Sequence, residues 1–338
     1  MPERKIVLVE YFVSGDDALI FGVRADFPEP QLVIRKLDYD EMRRTVVMNF
    51  GAHNQALDLF RETPELWHRY DDLIAPVADW AAPDDIVYLV PHGLLHYLPL
   101  HALKICGQYL IERNPVIYSP SASLLRYCQS RRKNDPDGKP SRRTAAVFGN
   151  SRWNIPKRNL PASEEEAKEV AELFGARPLL RNEVTMEAFR QAIVNVDVVH
   201  FAGHAGFDEE APLESGLEMA GTERLTAREV FSLTGLRAHL VTLSGCETGV
   251  NQHHPGDELI GLTRSFLYAE TPSVIVSLWR VADKSTAFLM KTFYNHLRGR
   301  ASGFKIDALR QAMLETKRQS GWDSPYYWAP FALLGDWQ

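Results

Sequence analysis

No run of this sequence is apolar enough to cross a bilayer: the longest, around Val274–Trp279, falls far short of the roughly 20 residues a spanning helix needs. The opening MPERKIVLVEYF has neither the apolar core nor the small-residue cleavage site of a secretion signal. Cysteine is scarce. Cys106, Cys128 and Cys246 are too few for a disulfide framework, and no two of them form a CxxC pair. These absences predict a chain of the reducing cytoplasm. Positive charge is not in excess either, with 38 Lys and Arg against 44 Asp and Glu and a net charge of -6. Nothing here attracts phosphate backbones or anionic lipid, so neither nucleic acid nor a membrane is an expected partner. The one basic cluster, Arg131–Arg132–Lys133 with Arg142–Arg143, lies in a turn-rich stretch and reads as a solvated linker. There is no repeat of solenoid period and no low-complexity tract. The phosphate-cradling GxxxxGK[ST] and GxGxxG and the serine elbow GxSxG are missing as well, and no cofactor is expected.

What remains is an ordinary globular composition, 45% hydrophobic and 24% charged over 338 residues, enough for a sizeable core. Lys5–Phe12, Ala18–Val23 and Leu32–Lys36 read as strands, Asn54–Trp80 as helical with apolar residues at helical spacing, and Ile86–Val90 as a short buried strand. The polar SRRKNDPDGKPSRRT then marks a linker at 131–143, dividing a domain at 1–130 from one at 144–338. Beyond it, strands are expected at Ala145–Gly149, Arg177–Leu180, Val196–Ala202, His239–Leu243 and Ser273–Trp279. They alternate with helices ending at Phe174 (with Ser163 as its N-cap) and spanning Met186–Val194, Thr226–Ser232, Glu258–Tyr268, Ser285–Leu297 and Ile306–Lys317. This alternation predicts an α/β fold, a mainly parallel sheet flanked by helices on both faces.

Two strand ends carry the chemistry. DVVHFAGHAGF and HLVTLSGCETG each run from a buried apolar strand through a glycine to a reactive side chain, His204 and Cys246. Ligands bind at the carboxyl ends of parallel strands. The intervening segment reads as a crossover, which often joins neighbouring strands, so both side chains project into one crevice. A thiol nucleophile with an imidazole base needs that arrangement. The amides of Cys246 and of Ala205 or Gly206 are the expected oxyanion donors. His200, four residues before His204 on the same face, is expected to support it from behind. A zinc cluster of His200, His204, Cys246, His253 and His254 lacks short, fixed ligand spacing, so no metal is expected. His92, His96 and His101 read as part of a strand-to-helix turn packed by Leu94, Leu95 and Leu98, not as ligands.

HFAGHAG, LSGCETG, GDELIGLTRSFLYAETPSVIVSLWRVAD and YYWAPFALLG, with PHGLLHYLPLHAL and YSPSASLL ahead of them, resemble the CHAT domain, a caspase-like cysteine peptidase family related to separases. The resemblance covers most of the chain. It implies a catalytic caspase-like domain from about 144 onward, an N-terminal pseudo-caspase-like lobe without the dyad, and His204 and Cys246 as the catalytic pair. It further implies an endopeptidase that cuts a limited set of protein substrates through a thioester acyl-enzyme, in bacterial defence or cell death. The alternative is a catalytically silent caspase-like scaffold that binds a partner protein. The residue after the dyad histidine is often glycine in the family and is Ala205 here. Family members often carry tetratricopeptide repeats beside the domain; these 338 residues hold none, so the expectation is either an always-active enzyme or one that answers to a separate activating or sensor protein. Trp279, Arg280 and Asp283 resemble the segment that shapes the substrate pocket in separases. With Arg280 the one arginine in view, cleavage after Asp is expected to be disfavoured.

Overall fold

The computed structural model describes residues 4–50, 56–131, 144–152, 154–206, 211–244, 258–279, 283–299 and 303–338. In the first half the strands are β1 (Ile6–Ser14), β2 (Asp17–Arg24), β3 (Gln31–Lys36), β4 (Ile86–Val90), β5 (Lys104–Ile105), β6 (Gln108–Tyr109) and β7 (Val116–Tyr118). In the second they are β8 (Ala145–Gly149), β9 (Leu179–Leu180), β10 (Val198–Ala202), β11 (Ala205–Gly206), β12 (Gly216–Glu218), β13 (Arg224–Thr226), β14 (Leu240–Ser244), β15 (Ser273–Ser277) and β16 (Phe331–Gly335).

Eleven of these form one sheet in the order β3-β2-β1-β4-β7-β16-β15-β14-β10-β8-β9. β4, β10, β14, β15 and β16 are buried at every residue, as strands covered on both faces must be. The expected α/β fold is therefore present. The sheet holds two parallel blocks, β1-β4-β7 and β15-β14-β10-β8-β9. The carboxy-terminal β16 joins them, parallel to β7 and antiparallel to β15. The two blocks thus run in opposite directions, and the turn after β4 lies at the other end of the sheet from the loop after β10. Gly335 closes β16 with φ +96, and a Cβ there would stand 2.3 Å from the Pro272 carbonyl oxygen, so only glycine fits.

Several expectations are corrected. The helix expected over Asn54–Trp80 is a series of short turns, Ala56–Arg61, Pro64–His68, Asp71–Leu73 and Val77–Trp80. Pro64 and Pro76 each prevent an uninterrupted ladder, although Phe60, Tyr70, Leu73 and Val77 are buried as their spacing suggested. Helix Pro161–Phe174 is not capped by Ser163. It starts at Pro161, with Leu160 at the N-cap and no side-chain cap bond, because proline is already set for the first helical position. Most of the expected linker, residues 132–143, lies outside the described residues. Among those described, no helix is long and apolar enough to cross a membrane, and no three His, Cys, Asp or Glu side chains are grouped to hold a metal ion.

Leu94, Leu95 and Leu98 are in the core. His101, equally buried, ties the seam between the two blocks: its Nε2–H donates to the Ala329 carbonyl at 3.0 Å and its Nδ1 accepts from the Tyr118 hydroxyl at 2.7 Å. Burial holds its pKa down to about 4, only partly opposed by the Ala329 bond. The unfolded chain therefore takes up a proton near pH 6.5 that the folded chain refuses until about 4. Stability is complete above this window and falls as the pH is lowered through it, by up to about 1.4 kcal/mol per pH unit for one group. His101→Gln should show a smaller loss of unfolding free energy between about pH 7 and about pH 5 than the wild type in urea titrations. An equal loss would remove His101 as the source.

Candidate active site

The end of β10 is held from both sides. Asn150 N–H donates to the Ala202 carbonyl and Gly203 N–H donates to the Ser244 carbonyl, each at 3.0 Å. The ladder between β10 and β14 thus continues past its last pair, Ala202 with Ser244, and the expected adjacency of these strands is found. His204 comes two residues beyond Ala202. It is buried, at 2% exposure, and its Nε2 lies 2.7 Å from the Arg158 carbonyl oxygen. A carbonyl only accepts, so this bond puts the ring proton on Nε2. Cys246 comes two residues beyond Ser244 and lies outside the described residues, as do Arg280, His253 and His254.

Ala205 and Gly206 form β11, which pairs antiparallel with β12 in a small three-stranded sheet. Glu218 N–H donates to the His204 carbonyl at 2.9 Å, tying the turn after β10 to that sheet. A Cβ on Gly206 would stand 2.5 Å from the Arg224 guanidinium. The space beside this glycine is therefore taken by an arginine.

His200 is fully buried, and its ring nitrogens face Tyr294 Oη and Glu166 Oε1, each 3.1 Å away. Any support it gives His204 passes through the strand that carries both. Trp279 also has no solvent exposure. Its ring packs against Phe60, with centroids 5.7 Å apart, and its Nε1–H donates to the Tyr326 carbonyl. The substrate contact expected of it is corrected to a core position, because the ring presents no open face. Asp283 opens the helix Asp283–Arg298.

Sequence reasoning missed an ionic cluster beside His204. Glu218 is 3% exposed at its side chain and lies 3.1 Å from Arg152, 3.0 Å from Arg158 and 3.7 Å from Arg224. No periodic pattern announces it: Arg152 and Arg158 sit in the loop after β8, and Glu218 reads as one acid in GLEMAG. Removing the single buried carboxylate leaves its arginines uncompensated. Glu218→Gln should therefore cost about 3 kcal/mol of unfolding free energy. Arg158→Gln, at a more exposed side chain (36%), should cost under about 1 kcal/mol. Equal losses in denaturant titrations would contradict this placement of the charge.

An eleven-stranded, mainly parallel sheet with strands buried throughout defines the chain as an α/β protein of caspase-like fold. It belongs to the CHAT domain family, whose model matches residues 68–336. Among solved structures, the Saccharomyces cerevisiae separase–securin complex resembles it with a TM-score of 0.62 at 9% identity, covering 98% of this chain and 30% of that one. The complex of Porphyromonas gingivalis RgpB pro- and mature domains does so with a TM-score of 0.51 at 10% identity, covering 88% and 76%. Tetratricopeptide repeat protein 28 of Homo sapiens is 29% identical and that of Mus musculus 28%, each match taking in 80% of this chain. The chain spans only 13% of the length of these curated relatives.

Proposed function

We propose that the chain is a cysteine endopeptidase acting through His204 and Cys246. The observation that carries this reading is the register of β10 on β14. Ala202 pairs with Ser244, and each is followed two residues later by one member of the pair. Neighbouring strands lie about 4.8 Å apart, which suits a thiol and its base. The proton held on Nε2 by the Arg158 carbonyl leaves Nδ1 as the nitrogen that takes the thiol proton.

The thiolate attacks the scissile carbonyl carbon, and the oxyanion is met by backbone N–H groups, for which Cys246, Ala205 and Gly206 are the candidates. The C–N bond breaks, the imidazolium gives its proton to the departing amine, and a thioester remains. Water, deprotonated by the same imidazole, then releases the acid and restores the thiol. Arg280 and Asp283 remain the proposed contacts for the residue before the scissile bond.

Restricted protein substrates and a separate activating or sensor protein belong to this reading. It is supported by the securin partner named for the separase structure and by the small share of the repeat-protein relatives that this chain spans. A cytoplasmic setting, in bacterial defence or cell death, is part of the same proposal. The second reading is a silent scaffold, and the observation favouring it is the match to curated proteins named for their repeats rather than for a peptidase.

Cys246→Ala and His204→Ala should each lower peptide cleavage by at least about a thousandfold with unfolding midpoints preserved. Cys106→Ala and Cys128→Ala should stay near wild type. Cys128 is buried, and burial pushes its thiol up to about 12, so it is inert at neutral pH. Undiminished cleavage by Cys246→Ala ends the thiol mechanism. Partner capture by wild type and Cys246→Ala alike, with cleavage by neither, establishes the scaffold.

A further inference from the structure

Below the strand ends, a polar group is buried where apolar side chains would suffice. The register pairs His200 of β10 with Thr242 of β14, and each stands four residues before one member of the proposed dyad. Tyr294, on helix Asp283–Arg298, places its hydroxyl 3.1 Å from His200 Nδ1 and 2.8 Å from Thr242 Oγ1. One phenol therefore spans both strands. On its other side the imidazole faces Glu166 of helix Pro161–Phe174, at 3.1 Å from Nε2 to Oε1. Imidazole, phenol and threonine have no solvent exposure, and Glu166 is 3% exposed. The phenol ring is clamped edge-on by Phe174 and Phe293, with centroids 5.5 and 4.9 Å away. Burial raises its pKa above the ordinary tyrosine value, so the hydroxyl keeps its proton and stays a donor.

Desolvating four polar groups together carries a cost that an apolar core avoids. What the arrangement supplies instead is direction: two short bonds from one rigid ring fix the spacing and level of two strands. We propose that Tyr294 is a positioning residue, whose hydroxyl holds β10 against β14 and thereby sets the separation between His204 and the nucleophile. This inference rests on the dyad proposed above. It also gives helix Asp283–Arg298 a second task, since its first residue is a proposed substrate contact and its Tyr294 aligns the strands that carry the chemistry. Misplacing reacting groups by a fraction of an ångström lowers the rate of the chemical step more than it weakens binding.

The test needs no substrate. Alkylation of Cys246 by iodoacetamide is followed against pH by mass spectrometry of the Cys246 peptide, in the full chain. Wild type should react near neutral pH, and His204→Ala should shift the inflection toward about 8.5. Tyr294→Phe keeps the ring packing and should slow the neutral-pH reaction about tenfold, shifting the profile the same way. Thr242→Val should do likewise, and the double variant should be no slower than the worse single one. Tyr88→Phe, which removes a buried hydroxyl bonded to the Gly335 carbonyl at 3.3 Å, should leave the profile unchanged. A profile that responds to His204→Ala but not to Tyr294→Phe overturns the positioning role alone. A profile indifferent to His204→Ala overturns the dyad and the positioning role together. Should Tyr294→Phe not fold, Thr242→Val decides by the same criteria.

Discussion

The parallel pairing of β10 with β14 is the constraint on which the rest of this structure depends. Its hydrogen bonds fix which residues stand level, and a slip of one position would turn every buried side chain on one strand to the opposite face. Both strands are buried throughout, so such a slip is strongly disfavoured. The Gly203–Ser244 and Asn150–Ala202 bonds extend the same order to the point where the chain leaves the sheet. The proposed site therefore stands at the end of a fully buried pair of strands, and reactive groups in loops borrow their precision from the ladder behind them.

The carboxy-terminal strand contributes a second constraint. β16 is the last strand in sequence yet lies near the middle of the sheet, with β7 on one side and β15 on the other. The two parallel blocks therefore meet only when the end of the chain is in place. Arg310, on helix Lys305–Lys317, reinforces the contact between the halves with bonds to the Ile111 and Glu112 carbonyls and to Asp84. The blocks face opposite ways, so the histidine-bearing turn after β4 is kept from the end where His204 lies. His101 serves the fold there through its bonds to Tyr118 and Ala329, and burial lowers its pKa and that of His96.

Legibility followed locality. Ile86–Val90 and Ala145–Gly149 are short apolar runs bounded by polar residues, and both form strands over those same residues, as Glu258–Tyr268 forms its helix. Thr226 caps its helix through Oγ1 to the Glu229 N–H, the pattern that serine or threonine followed three places on by glutamate encodes. The helix at Tyr39–Phe50 was not recognised, since YDEMRRTVVMNF puts Thr45, Val46 and Val47 in its middle, residues that favour strands. The central place of β16 was also hidden, because pairing between residues hundreds apart leaves no local trace. His204 stands out in the sequence because a glycine-rich turn follows a clean strand. The cluster of Glu218, Arg152, Arg158 and Arg224 does not, because its members come from two stretches far apart in sequence, and neither does the bridge from Tyr294 to Thr242.

In the proposed dyad, the register of β10 on β14 delivers His204 and Cys246 to one another. A disulfide bond needs Cα atoms about 4.4–6.8 Å apart, which residues level on adjacent strands satisfy and residues in different crevices do not. The direct measurement is peptide mapping of a His204→Cys variant, folded and mildly oxidised. A bond between the introduced thiol and Cys246 should form in high yield within one chain. Both thiols remaining separately alkylatable, in a protein whose unfolding transition matches the wild type, would contradict it.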